Sequence, residues 1–161
     1  MKELIKKIQQ QWQQAKNAAQ EQCASMGNMD LAQKLADCTM FKGTEDLEHL
    51  IRLMFTPQGI EFLTRYDFPD LETFRKFKPY HPERYGVYID RGKIELSEAR
   101  KVFLVGRSSA TLKYRETAGN RVYLMHGAQA SIIASGYAVV KVEHDEKSNV
   151  SYITKDKAVV R

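Results

Sequence analysis

Cysteine is scarce: Cys23 and Cys38 are the only two in 161 residues, too few for a disulfide scaffold. Both stand at helix-like positions, which points to small apolar thiols in a helical core. A metal site built on them would need further ligands, and His49 is the one candidate close in sequence. No run of about eighteen apolar residues occurs, so a membrane-spanning helix is not expected. The start, Met1 to Lys7, is basic but leads into a glutamine run rather than an apolar segment. A secretory signal is therefore not expected, and a cytoplasmic location is. Hairpin turns of the Asn-Gly or Asp-Gly type are missing. So are a Gly-rich phosphate loop, a His-Glu-x-x-His pair and a nucleophile elbow. The expectation is no cofactor, no metal and no catalytic residue, which leaves a binding or structural role.

What is present is ordinary in bulk: one medium domain or two small ones, with 43% hydrophobic and 28% charged residues. That composition builds a core and argues against global disorder. The net charge of +5 is unevenly placed. Residues 1–43 carry six bases and four acids, residues 44–80 five and seven, and residues 81–161 fourteen and nine. The positive excess thus lies in the C-terminal half, interleaved with acids rather than in a block.

Residues 3–24 predict one amphipathic helix, with Ile5, Ile8, Trp12, Ala15, Ala19 and Cys23 on the apolar face. Gln9, Gln10, Gln13, Lys16 and Gln20 form the solvated face. Gly27-Asn28 ends it. A second helix is expected over 29–41 and a third after a Thr44 cap, with Leu47, Leu50, Ile51 and Met54 inward. A fourth follows Thr56-Pro57, and a last short one starts at Asp67-Phe68-Pro69 and carries Leu71, Phe74 and Phe77. These five short helices must pack on each other or on the rest of the chain.

Pro79 and Pro82 interrupt regular structure between the halves, so residues 79–86 read as a junction between a helical region, 1–80, and a β region, 87–161. Around it, bases and aromatics interleave: Arg75, Lys76, Lys78, Tyr80, His81, Arg84, Tyr85 and Tyr88. Such a mixture suits a protein interface or stacked bases, and also a seam between domains.

From Val87 the pattern turns to short strands whose starts lie about eight to eleven residues apart. Two architectures repeat in this way: an antiparallel sandwich or barrel, and a β-solenoid. The missing hairpin turns favour the solenoid. So do the small residues Ala110, Ala128, Ala130, Ala134, Ala138 and Ala158, which suit the corners of a narrow interior. Segments 116–120 and 144–149 read as polar insertions between coils, and Asp145-Glu146 falls in the second. The fold expected is α+β, helices followed by a β-solenoid-like stack.

The stretch 127–142, Gly-Ala-Gln-Ala-Ser-Ile-Ile-Ala-Ser-Gly-Tyr-Ala-Val-Val-Lys-Val, resembles short-repeat β-solenoid proteins of bacteria and their phages, whose repeats run roughly Gly-x-Ala-x-Val-x-Ala. The helical segment 54–62, Met-Phe-Thr-Pro-Gln-Gly-Ile-Glu-Phe, is similar to the front of uncharacterised bacterial or prophage proteins of this layout. The resemblance covers about 100–161 for the solenoid. It implies a phage or mobile-element origin and no particular activity.

Two functional expectations follow. The first is an interaction or assembly module that meets a protein partner or itself, through the β-stack end and the basic-aromatic junction. An uncapped last coil exposes strand edges, while the helices are expected to cap the other end. The second is nucleic-acid binding through the bases of the β face, Arg84, Arg91, Arg100, Lys101, Arg107, Lys113, Arg115 and Arg121. In a stack of coils, His126 would join Arg107 and Arg121 in an anion site.

Overall fold

The computed structural model describes residues 1–161. Five helices come first: α1 (Lys2–Ser25), α2 (Met29–Ala36), α3 (Leu47–Met54), α4 (Pro57–Tyr66) and α5 (Leu71–Arg75). Two short 3-10 turns, Lys78–Tyr80 and Pro82–Tyr85, fill the proline-bearing junction. Nine strands follow: β1 (Val87–Ile89), β2 (Gly92–Ser97), β3 (Lys101–Val105), β4 (Ser108–Tyr114), β5 (Gly119–Met125), β6 (Gln129–Ala134), β7 (Val139–His144), β8 (Asn149–Thr154) and β9 (Val159–Val160). No helix is long and apolar enough to cross a membrane.

The strands form a β-solenoid with two strands per coil. Odd strands stack in one parallel sheet, β1-β3-β5-β7-β9, and even strands in the other, β2-β4-β6-β8. The first coil is short, since Val87 pairs with Phe103. Thereafter the register repeats every 20 residues, as in Val102 with Val122 and Val122 with Val142. The expected insertion at 116–120 is present relative to the first coil, since Ser97 pairs with Lys113 but Lys101 with Arg121, whereas 144–149 is a regular corner, with Leu124 and Gln129 stacked on His144 and Asn149.

Side-chain volume explains the interior. Val102, Leu104, Val122, Leu124 and Val140 face inward from the odd sheet and meet Ala110, Leu112, Ala130 and Ile132 from the even sheet, all buried. Ala128 and Ala138 fill corners with no accessible surface. Ala134 lies in register with Tyr114, whose large buried ring takes the space and whose hydroxyl donates to Ala99 O at 3.0 Å. Burial pushes the Tyr114 phenol strongly upward. The one interior amide, Asn120, is satisfied: it donates to Ala118 O and Val139 O at 3.2 Å and accepts from Arg100.

The helices do not cap the first end of the solenoid, as expected, but lie along its side. The outward residues of the odd sheet are apolar where the helices cover them: Val87, Ile89, Phe103, Val105, Tyr123 and Met125 join Ile8, Trp12, Phe55 and Phe74 in one buried cluster. Phe55 meets Phe103 edge-on at 6.2 Å and Tyr123 at 5.6 Å, an aromatic seam that welds the halves together. The cause is strand composition. Strands β3 and β5 are apolar on both faces, so a second layer must cover the outer one.

Several helix limits differ from those the sequence predicts, for reasons of capping. The side chain of Asp46, not Thr44, accepts from His49 N at 2.8 Å and starts α3. Asp70 accepts from Thr73 N at 2.7 Å, so α5 begins after Pro69 instead of at Asp67. Helix α2 stops at Ala36, five residues early. Its end is held by Lys16, expected in solvent but buried, whose ammonium donates to Ala36 O at 2.8 Å and Cys38 O at 2.9 Å. A cation there satisfies orphan carbonyls at the negative end of a helix. Cys23 and Cys38 are free and half-buried.

Candidate functional site

The corner that leads from the odd sheet to the even sheet recurs once per coil and lies beside the helices. At its first residue the backbone is left-handed in three successive coils: Asp90 (φ 50°), Gly106 (φ 64°) and His126 (φ 59°). Carboxylates at this corner reach the backbone of a neighbouring coil. Asp90 Oδ1 accepts from Arg107 N at 2.9 Å, and Asp145 Oδ2 from His126 N at 2.7 Å. Gly106 leaves room for this stitch, since a Cβ there would lie 2.5 Å from Asp90 Oδ1.

Asp90 is the electrostatic link between the halves. Its side chain is 4% exposed and takes Arg75 Nε at 2.7 Å, with Lys78 Nζ and Arg107 Nε each at 3.9 Å. The Arg75 hydrogen bond is the main reason its carboxyl is held below the usual range, and the Arg107 amide adds to it.

Arg75 and Lys78, expected to meet a partner, both face Asp90 while remaining partly exposed to solvent. Tyr88 is withdrawn: it lies in register with Leu104, packs on the solenoid interior, and has its phenol pushed up by burial. The half-buried Tyr80 accepts from the Met1 amino group at 2.9 Å. Lys76, His81, Arg84 and Tyr85 stay on the surface.

Four bases of the β face have partners within the molecule. Lys113 pairs with Glu95, and Arg100 with Glu116. Arg121 donates to Phe55 O at 3.4 Å, and Lys101 lies 5.8 Å from the Phe55 ring. Arg91 and Arg115 are exposed.

The expected anion site of His126, Arg107 and Arg121 does not assemble. Arg107 and Arg121 have the partners just named, and the His126 side chain, 7% exposed, faces carboxylates instead. Its Nδ1 lies 3.4 Å from Asp67 Oδ1, its Nε2 lies 2.8 Å from Pro69 O, and Phe74 packs edge-on at 5.6 Å. Asp145, read as part of a polar loop, is 7% exposed, and its Oδ1 is buried with no hydrogen-bond partner. Lys147 donates to Asp67 Oδ2 at 2.6 Å, and that bond raises the lysine pKa. No sequence signal marks this cluster, because Asp67 and His126 are 59 positions apart and only the packing of α4 on the solenoid brings them together.

The last coil is the other distinctive feature. Strands β8 and β9 pair on one side only, with β6 and β7. Asn149 N and Lys155 N donate to Ala128 O and Ala134 O, so strand alternation turns the amides of Val150 and Tyr152 to the open side. Tyr152 continues the inward column of Leu112 and Ile132 yet is 57% exposed, and Ile153 is 63% exposed beside Ile133. In the helical half, the space lined by Ile8, Trp12, Phe41, Leu50 and Phe62 is wholly apolar and has nothing to orient a polar substrate.

The chain matches no protein-family model, no curated protein and no solved structure.

Proposed function

We propose that this chain is a non-enzymatic assembly module that joins a second copy of itself through the coil of β8 and β9, whose strands pair on one side only. The observation that carries the reading is that coil: two one-sided strand edges around an apolar column that ends in the exposed Tyr152. An edge of this kind is a ready template for pairing, and covering Tyr152 and Ile153 removes apolar surface from water. Charge favours a like partner. Residues 143–161 carry four acids, Glu143, Asp145, Glu146 and Asp156, and four bases, Lys147, Lys155, Lys157 and Arg161, within a chain of net charge +5. Two such coils meet without net repulsion, and the alternating Lys155-Asp156-Lys157 corner supplies both signs to its counterpart.

Sedimentation over a hundredfold range of concentration tests the reading. A reversible monomer–dimer equilibrium is expected. Tyr152→Pro removes an amide that faces the open side and spares the ladder to β6, so it should give a folded monomer. A wild-type chain that stays monomeric throughout, or a Tyr152→Pro variant that still dimerises, overturns the proposal.

A further inference from the structure

We propose that Asp67, His126 and Asp145 form a binding site for a divalent transition cation of the zinc type, placed where the helical half meets the solenoid. Ligand atoms of the three residues lie within 4.8 Å of one another.

The histidine is set up as a ligand. Its Nε2 lies 2.8 Å from Pro69 O. A carbonyl only accepts, so Nε2 carries the proton, and the neutral form of the ring presents its lone pair at Nδ1. A ring nitrogen fixed through its far N–H by a carbonyl is the usual outer support of a metal-bound histidine. That Nδ1 faces Asp67 Oδ1 at 3.4 Å. In that form the two atoms oppose lone pairs, which a cation between them would satisfy. The separation also equals the edge of a tetrahedron with bonds of about 2.1 Å, the length of zinc–nitrogen and zinc–oxygen bonds.

Asp145 supplies the independent observation. It is 7% exposed, Oδ2 is satisfied by the His126 amide, and Oδ1 is buried with no donor. A buried carboxylate oxygen without a partner is costly, and a cation relieves that cost. Lys147 neutralises one oxygen of Asp67 from the solvent side and leaves Oδ1 free. The two carboxylates and the lysine still leave a negative site. One imidazole nitrogen with two carboxylate oxygens suits zinc, cobalt or manganese better than magnesium or calcium, which take all-oxygen shells. Asp67 closes α4 while His126 and Asp145 sit on successive solenoid corners, so a bound ion would clamp the halves and stabilise the fold by mass action.

The test uses the untagged full chain after dialysis against a chelator. Cobalt(II) is titrated by visible absorption, zinc by calorimetry and thermal unfolding, with magnesium as control. One equivalent of cobalt and of zinc should bind saturably, zinc should raise Tm, and magnesium should do neither. Asp67→Asn keeps a residue that tolerates the left-handed backbone at this exposed position (φ 50°). It should fold and bind more than about tenfold more weakly, as should Asp145→Asn. The proposal is overturned by no saturable binding below about 1 mM, or by affinity unchanged in both variants. A thiolate charge-transfer band in the cobalt spectrum, which would place the metal on Cys23 or Cys38, also overturns it. So does an imidazole NMR spectrum showing doubly protonated His126 that zinc does not alter, since a simple ion pair to Asp67 then explains the geometry.

Discussion

Asp90→Asn isolates the charge that ties the helices to the first solenoid corner. Asparagine tolerates the left-handed backbone at this position (φ 50°) and keeps an oxygen for the Arg107 amide. What is lost is the negative charge opposite Arg75, at 2.7 Å, with the Asp90 side chain only 4% exposed. A hydrogen bond to a charged group contributes about 1.5–3 kcal/mol when sheltered, and Arg75 is partly solvated, so the expected loss is about 2 kcal/mol, read by urea unfolding at neutral pH. The pH dependence has a definite sign. The folded-state pKa of Asp90 is depressed. Its contribution is therefore present above the unfolded value of about 3.9 and fades as pH falls through the lower folded value. The gap between wild type and Asp90→Asn should narrow under acid and be widest at neutral pH. A gap that is independent of pH, or below about 0.5 kcal/mol at neutral pH, a size expected of an exposed surface pair, would refute the assignment of Asp90 as the link.

Further predictions concern packing and capping. Lys16→Ala leaves Ala36 O and Cys38 O without their donor; unfolding in urea should show a loss of about 2 kcal/mol. Leu124→Ala opens a cavity in a fully buried column and should cost about 2–5 kcal/mol by the same measurement. Ala134→Leu pushes volume against the Tyr114 ring in the neighbouring coil and should destabilise by about 1–3 kcal/mol, despite adding apolar surface. Ile153→Lys, on the outer face of the last coil, should leave stability nearly unchanged but weaken self-association in sedimentation.

The solenoid was legible because its signal is local. Spacing, alternation and the alanines at 128, 130, 134 and 138 each report a constraint that one coil imposes on the next. The 20-residue register was harder to see, since each coil holds two strands and the first coil is shorter. The position of the helices was hidden for a different reason. Phe103 and Tyr123 lie on strands that are apolar on both faces, and alternation cannot say which face meets the interior. Helix periodicity gives a direction and not a neighbour, so the polar face that carries Lys16 does not reveal that the end of α2 covers it. The bases at Arg75 and Lys78 showed their composition but not their partner, Asp90, which the fold brings to them from the first corner. The cluster of Asp67, His126 and Asp145 had no sequence signature, since its residues come from a helix end and two corners one coil apart.

The most direct test of the assembly reading is amide hydrogen exchange at the open edge of the last coil, measured residue by residue at low and high protein concentration. The amides of Val150 and Tyr152 should exchange freely in dilute solution and become protected as concentration rises, while those of Ser151 and Ile153, which face β6, stay protected throughout. Exchange at Val150 and Tyr152 that remains fast at every concentration would contradict the claim that this edge joins a second copy.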